Sequence, residues 1–415
     1  MKPAKFATAR IITIGNELTT GLVADANARV VARFLLGRGY VVSRVVSVPD
    51  DEGEIIAEVR EAVRSSDLVV VTGGLGPTHD DVTKTALCRL FKCKTKFQPA
   101  VLRRVRAFFK KIGKKTPEAN RSYADVPTCA VAVRNDVGLA RGLFFNGRVL
   151  ALPGVPHEAE RMLLTSAARL IRPGGTHVRE FTFHTAGADE TRLTDEMKGL
   201  AKATKFADVA FLPKLGNVDV RIVARGSTPK KASANMASAK RLLLDNIRRH
   251  VWGTGDQTIE SVVGGMLKRA GQSLCVAESC TGGGIGKRVT SVPGSSEYFL
   301  GGATVYSNSA KTSLVGVPKK LLAKFGAVSG EAAAAMARGA RKSFGADYAV
   351  SATGVAGPGG GTREKPVGLV FVAAADGRGE TVRRLFIAGG RETVRERTTF
   401  EALFLLYEKL RRDAL

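Results

Sequence analysis

The 415-residue chain predicts an α/β protein, two three-layer α/β domains joined by a small α+β segment. Three observations carry that reading. In the first and last thirds, short apolar runs alternate with amphipathic stretches, the pattern of parallel strands with crossover helices. Glycine-rich turns close several of those runs, and 46 glycines suit a chain with many tight loops. Pro173-Gly174-Gly175 and Gly253-Thr254-Gly255-Asp256-Gln257 read as linkers, which divides the chain into 1–173, 174–254 and 255–415.

In the first third, Arg10 to Gly15 is an apolar strand, and Asp25-Ala26-Asn27 precedes an amphipathic helix from Ala28 to Leu36. Tyr40 to Val48 is β-branched, Asp50-Asp51 suits a helix N-cap before Glu54 to Arg64, and Asp67 to Thr72 is a third buried strand. Ligands of such sheets gather at the carboxyl ends of the strands. There Val71 to Asp81 forms a glycine-rich turn whose bare amides suit an anion. Asp80 and Asp81 suit a hard divalent cation beside a pyrophosphate, or equally a helix cap and first-turn acid. Arg103 to Lys111 is a helix with a basic face, either solvated or a nucleic-acid contact. Asn146-Gly147 marks a hairpin between Arg141–Phe145 and Arg148–Leu152, and a tight turn then leads to Glu158.

The middle segment reads as βαββα: a strand from Val178 to His184, a helix from Glu190 to Ala203, a hairpin about Gly216-Asn217 and a helix from Lys230 to Arg249. No G-x-x-G loop of the kind that clamps a nucleic-acid backbone lies between its helices, so it reads as a spacer or dimer contact.

In the last third, a helix from Ile259 to Lys268 leads to a strand, Leu274 to Ala277, which ends in Glu278-Ser279-Cys280-Thr281 and three glycines. A second apolar run, Ala303 to Tyr306, precedes Lys311, so two strand ends bring Ser279, Tyr306 and Lys311 to one cavity. A helix from Gly330, a strand from Tyr348 to Thr353, a hairpin about Asp376-Gly377 and a terminal helix from Glu392 complete an α/β domain.

A serine hydroxyl needs a base. All five histidines precede this domain, so a Ser-His-Asp triad within it is excluded. Lysine serves if its reference pKa of about 10.4 falls through burial or nearby positive charge. Tyr306 then relays the proton or orients the lysine, and the amides of Cys280 to Gly283 suit an oxyanion hole. The same residues are compatible with a plain helix-capping turn, a buried strand tyrosine and a surface lysine, and Cys280 is a rival nucleophile.

The totals bound the rest. No apolar run approaches the roughly 18 residues of a membrane span, and Ile11-Ile12-Thr13-Ile14 is shorter than a signal-peptide core of about 7, which points to the cytoplasm and away from membranes. Five cysteines without a C-x-x-C pair read as reduced thiols. The net charge of +26 attracts phosphates and nucleic acid, but only 6% aromatic residues leave specific nucleic-acid recognition weakly supported.

The motifs G-N-E-L-x-x-G, D-A-N, T-G-G-L-G-P-T-x-D-D and L-P-G-V-P-x-E together resemble the amino-terminal domain of the CinA family, which is similar to molybdopterin-binding domains. That resemblance implies metal-dependent cleavage of ADP-ribose. It sets Glu17, Asp25, Asn27, Gly73, Gly74, Gly76 and Thr78 at a nucleotide site and Asp80, Asp81 and Glu158 toward a divalent ion, Mg or Co. In the last third, A-E-S-C-T-G-G, Y-S-N-x-x-K, G-A-V-S, T-G-V-A-G-P-x-G-G and E-K-P-V-G resemble the family's carboxy-terminal domain, similar to nicotinamide-mononucleotide (NMN) deamidase. This implies hydrolysis of the carboxamide to nicotinate mononucleotide and ammonia, in pyridine nucleotide salvage, with no cofactor. Ser279 attacks, Lys311 takes its proton and Tyr306 supports them. Thr281, Gly282 and Gly283 line the oxyanion side, Thr353, Gly354, Ala356 and Gly357 form a nucleotide loop, and Lys287 or Arg288 attracts the phosphate. The middle segment resembles the family's small KH-like insert, and its reading as a dimer contact makes a homodimer the expected assembly. The alternative is a nucleic-acid-associated competence or DNA-damage protein that binds without catalysis.

Overall fold

The computed structural model describes residues 6–413. By its contacts the chain divides into two compact units, one of the residues up to Arg179 with Ala224–Asn235, the other of Glu180–Val223 with the residues from Met236 on.

The first unit holds β1 (Thr8–Ile14), β2 (Val41–Val48), β3 (Leu68–Thr72), β4 (Thr95–Phe97), β5 (Asp125–Pro127), β6 (Ala130–Val133), β7 (Gly142–Phe145) and β8 (Val149–Leu152). Six of these form one sheet in the order β2-β1-β3-β8-β7-β6. Strands β2, β1, β3 and β8 are parallel, and β7 and β6 run antiparallel. The central β3 and β8 are buried throughout, which is why they read as nearly continuous apolar runs, LVVVT and VLAL. Asp25 and Asp51 cap the helices Ala26–Gly37 and Glu52–Ser65, accepting from the amides of Ala28 and Glu54 at 2.9 and 3.0 Å. Val31 and Leu35 of the first helix join Met162 on one face of the sheet, while Ile55 and Val59 of the second join Leu87 on the other. The expected three layers are present. Asn146 and Gly147 both take positive φ, 48° and 67°, as the turn of the β7–β8 hairpin requires.

The thiols depart from expectation. Antiparallel pairing of β4 with β5 brings two segments far apart in sequence side by side, and Cys93 and Cys129 are joined by a disulfide with Cα atoms 5.9 Å apart. Cys88, Cys275 and Cys280 are free and buried.

The middle segment holds β9 (His177–Ala186), β10 (Ala207–Lys214), β11 (Asn217–Gly226) and β12 (Val251–Thr254), in the sheet order β10-β11-β9-β12. The start of the expected second linker is thus a strand, β12, antiparallel to β9. The helix expected over 190–203 is two short ones, Glu190–Glu196 and Leu200–Ala203.

The last third holds β13 (Leu274–Glu278), β14 (Phe299–Thr304), β15 (Tyr348–Gly354), β16 (Leu369–Ala375) and β17 (Glu380–Phe386), in the order β14-β13-β15-β16-β17. Strand β13 lies between parallel neighbours, and the hairpin β16–β17 runs antiparallel beside β15. One face is covered by the helices Ile259–Ala270, Gly284–Thr290 and Arg391–Asp413, the other by Asn308–Val315 and Gly330–Phe344. Among the described residues no helix is long and apolar enough to cross a membrane.

A buried histidine ties the middle segment to the chain that follows it. His184 Nδ1 lies 2.7 Å from an Asp219 carboxylate oxygen and Nε2 lies 2.8 Å from the Gly255 carbonyl, with the ring stacked on Trp252. Both partners are acceptors, so both ring nitrogens donate only in the imidazolium form. Burial by itself lowers the pKa of His184, but the Asp219 carboxylate and the Gly255 carbonyl outweigh it and the net direction is upward. A raised folded pKa contributes stability that is complete below about 6.5, the unfolded value, and is lost as pH rises through the folded value. Urea midpoints of the wild-type protein should therefore fall as pH rises above about 6.5, and His184→Gln should flatten that part of the profile; equal slopes in both proteins would disprove the assignment.

Candidate functional site

Strand β13 ends at the carboxyl edge of its sheet, and Glu278 decides what happens next. Its carboxylate is buried and accepts the amides of Gly283 and Ile285 at 3.0 Å each and of Gly286 at 2.8 Å. This satisfies the amino end of the helix Gly284–Thr290 and folds the intervening loop back on itself. Gly282 and Gly283 take φ of 62° and 96°, backbone open to glycine, and the Gly282 amide closes the turn on the Ser279 carbonyl at 3.1 Å.

Ser279 is held at the bend, 8% exposed, with its Oγ 3.1 Å from Lys311 Nζ. Lys311 lies in the first turn of the helix Asn308–Val315, whose cap is the Ser307 hydroxyl. Its side chain is 1% exposed, and Nζ donates to the carbonyls of Val305 at 2.9 Å and Tyr306 at 3.1 Å. Lys311 forms no ion pair among the described residues, and burial lowers its pKa from the ordinary 10.5. A neutral amine has two N–H groups and one lone pair. Two carbonyls take the N–H groups, so the lone pair is left for the Ser279 hydroxyl. The pair is thereby arranged for proton transfer from serine to lysine.

The thiol beside it is unsuited to attack. Cys280 is buried among Ile285 and Val289, and burial pushes its pKa up to about 12.

Three expectations require correction. Tyr306 lies past the end of β14 and is 62% exposed, and its phenol oxygen is 3.3 Å from Arg391 Nη2. Its support to Lys311 is the main-chain carbonyl. The oxyanion role expected of the amides from Cys280 to Gly283 is narrowed: that of Gly282 is bonded to the Ser279 carbonyl and that of Gly283 to Glu278. Arg288 is paired with Glu260 at 2.6 Å, and Lys287 lines a separate cavity with Thr281.

The nucleotide loop is partly structural. The Thr353 hydroxyl donates to the Ala327 carbonyl at 2.7 Å, a Cβ on Gly354 would meet Leu369 and Val370, and Ala356 is buried. The Gly357 carbonyl accepts from Arg391 Nη1 at 2.8 Å. Arg391 therefore joins this loop to Tyr306. Sequence reasoning missed it because only tertiary contact connects the three.

A second cavity, of about 670 Å³, opens at the carboxyl edge of the first sheet, with Glu17, Asp50, Gly74, Asp80, Tyr123 and Glu158 in its wall. Gly73, φ 106°, passes so close to the Ile14 carbonyl that a Cβ would lie 2.1 Å from that oxygen. Gly76 and Thr78 fold around Asp81, whose carboxylate accepts both their amides, at 2.8 and 2.9 Å. Asp25 is a helix cap and lines no part of the cavity, while Asn27 Nδ2 donates to the Gly154 carbonyl at 2.6 Å and its Oδ1 is buried without a partner.

Of the Asp50-Asp51 pair expected at this N-cap, Asp51 is the cap, while Asp50 accepts the Asn16 amide at 2.9 Å and lies in the cavity wall. Burial raises the pKa of Asp50, and the carboxylates of Glu17, Asp80 and Asp81 add to the rise. The Thr78 hydroxyl also donates to the Asp81 carboxylate.

The expected metal set is not assembled. Asp81 is committed to its own loop, Glu158 accepts from Asn135 Nδ2 at 2.6 Å, and among the described residues no three His, Cys, Asp or Glu side chains gather as ligands.

Comparison with known proteins follows this division. Residues 10–172 match the probable molybdopterin binding domain, 181–253 the damage-inducible protein CinA KH domain and 256–410 the CinA C-terminal domain. The chain is 39% identical over 411 residues to a putative competence-damage inducible protein of Moorella thermoacetica, covering 97% of this chain and 99% of that one. It is 38% identical over 405 residues to a CinA-like protein of Geobacter sulfurreducens, covering 96% and 98%. A solved structure of the competence/damage inducible protein CihA from Agrobacterium tumefaciens is 38% identical, covers 37% of this chain and 93% of that one, and has a TM-score of 0.36.

Replacing Glu278 tests the geometry. Glu278→Gln sets an amide NH₂ against amides that need an acceptor, and should cost about 2 kcal/mol in the unfolding of this domain; a melting curve identical to wild type would show that the loop does not depend on the carboxylate.

Proposed function

The chain belongs to the CinA family, and from that premise we propose that its last third is an amidohydrolase acting on the carboxamide of nicotinamide mononucleotide. The observation that carries the reading is the buried Lys311 amine on the Ser279 hydroxyl, with both its N–H groups taken by carbonyls.

As Ser279 Oγ attacks the carboxamide carbon, its proton passes to Lys311 Nζ. The lysine then returns that proton to the departing nitrogen, and ammonia leaves an acyl ester on Ser279. Water, deprotonated by the same amine, cleaves the ester and frees the carboxylate, nicotinate mononucleotide. The first of these protons moves between two atoms already in contact, Ser279 Oγ and Lys311 Nζ, and the lysine fills the role of a histidine base.

Ser279→Ala should lower ammonia release by about three orders of magnitude or more, and Cys280→Ala should leave it near wild type; the reverse pattern would assign the nucleophile to the thiol. Because Lys311 must be neutral to accept the proton, kcat/KM should fall as pH drops through its lowered pKa, an inflection below 10.5. Lys311→Arg keeps a charge and removes the base, so it should be as inactive as Lys311→Met; activity in the arginine variant would exclude general-base catalysis by this residue.

A second activity is proposed for the first unit, cleavage of the diphosphate of ADP-ribose to AMP and ribose phosphate. The glycine-walled cavity at the sheet edge supports it. With Asp81 and Glu158 engaged, Asp80 is the residue that would hold a divalent ion there, and the ion would supply charge neutralisation on the diphosphate. Asp80→Asn should slow AMP release at least about tenfold, and chelation should abolish it; turnover unaffected by both would remove the cation from this reading. A binding-only role on nucleic acid has less support, since Arg104 of the basic helix is bonded to the Asn135 carbonyl and Phe108 faces the cavity.

A further inference from the structure

A cavity of about 460 Å³ lies under the β10–β11 hairpin, on the side of the Ser279 loop away from Lys311. Its floor is Thr281, two residues past Ser279. That residue is 1% exposed, and its hydroxyl has no partner. A buried, unsatisfied hydroxyl at the bottom of a cavity is a group awaiting an acceptor or donor.

The walls suit an anion with an apolar end. Lys214, Lys287, Arg288 and Arg395 line the cavity against two carboxylates, Glu392 and Glu396. Lys214 is paired with Asp219, Arg288 with Glu260 and Arg395 with Glu392, while Lys287 has no ion pair among the described residues. Leu215 and the edge of Phe400 supply the apolar wall. The volume lies in the range of about 300–1,000 Å³ typical of small-ligand sites.

We propose that this cavity is a second ligand site of the last third, separate from the site of deamidation, and that it takes a nucleoside monophosphate. The phosphate lies between Lys287 and Arg395, with the Thr281 hydroxyl as its buried donor, and the base lies against Leu215 and Phe400. Arg395 Nη2 donates to the Thr281 carbonyl at 3.1 Å, so a phosphate that engages Arg395 acts on the loop that holds Ser279. The site thereby couples the concentration of a nucleotide to the geometry of the nucleophile without overlapping it.

The test is calorimetric titration of the full-length protein with AMP, followed by deamidation kinetics in its presence. Lys287 is exposed, so Lys287→Glu leaves the fold intact. This variant should remove one class of AMP site or weaken it at least tenfold, while any AMP site in the first unit persists. AMP binding of the same stoichiometry and affinity in Lys287→Glu overturns the proposal. Inorganic phosphate that binds as tightly as AMP overturns the nucleotide class. Wild-type kinetics should show AMP changing kcat; AMP that raises KM alone, by competition, assigns the cavity to the deamidation substrate and overturns a separate site. Because binding is read directly, the first result stands whether or not the protein deamidates.

Discussion

The arrangement around Ser279 depends on one buried lysine amine, that of Lys311. A buried ammonium with no carboxylate beside it is disfavoured, and burial lowers the pKa of Lys311 from its ordinary value, which favours the neutral amine. Once neutral, it has two hydrogens and one lone pair, and the surroundings supply two carbonyls and one hydroxyl. The Val305 and Tyr306 carbonyls are available because β14 ends at Thr304, and Lys311 reaches them because Ser307 starts a helix that carries it back over the strand ends. Ser279 is placed by Glu278, whose carboxylate binds three amides and makes the following loop rigid.

The same accounting explains why acidic residues in the first unit do not collect as metal ligands. A glycine-rich turn that exposes amides toward a ligand also needs something to hold it, and Asp81 is that support, as Glu278 is in the last third. Asn135 is the corresponding brace for the opposite wall: its Oδ1 accepts the amides of Val137 and Gly138 while its Nδ2 fixes Glu158. Asp81 and Glu158 are thus engaged by neighbouring groups although both line the cavity, and Asp50, also in its wall, accepts the Asn16 amide.

Much of the fold was legible in the sequence. Alternation of strands and helices, the Asn146-Gly147 turn and the run of Val and Leu in β3 each follow from local rules, and each is present. The Ser279–Lys311 pair could be named because two apolar runs that end near a serine and a lysine are local patterns and the motif resemblance singled out both residues, whereas the helix that carries the lysine was not read. Tyr306 was misread because the end of β14 moved by two residues, which turned the phenol outward. The Cys93–Cys129 bond was unreadable because it joins segments 36 residues apart whose pairing only the fold creates.

By itself the sequence determined most of the element types, the glycine turns at the sheet edges, the absence of any histidine from the last third and a serine and a lysine as a candidate pair. The tertiary structure alone decided which polar groups were already satisfied: the Gly283 amide by Glu278, the Arg391 guanidinium by Gly357 and Tyr306, and the His184 ring by Asp219 and Gly255. Periodicity and turn chemistry act over a few residues, whereas a hydrogen bond is settled by whichever partner the completed fold brings within about 3 Å.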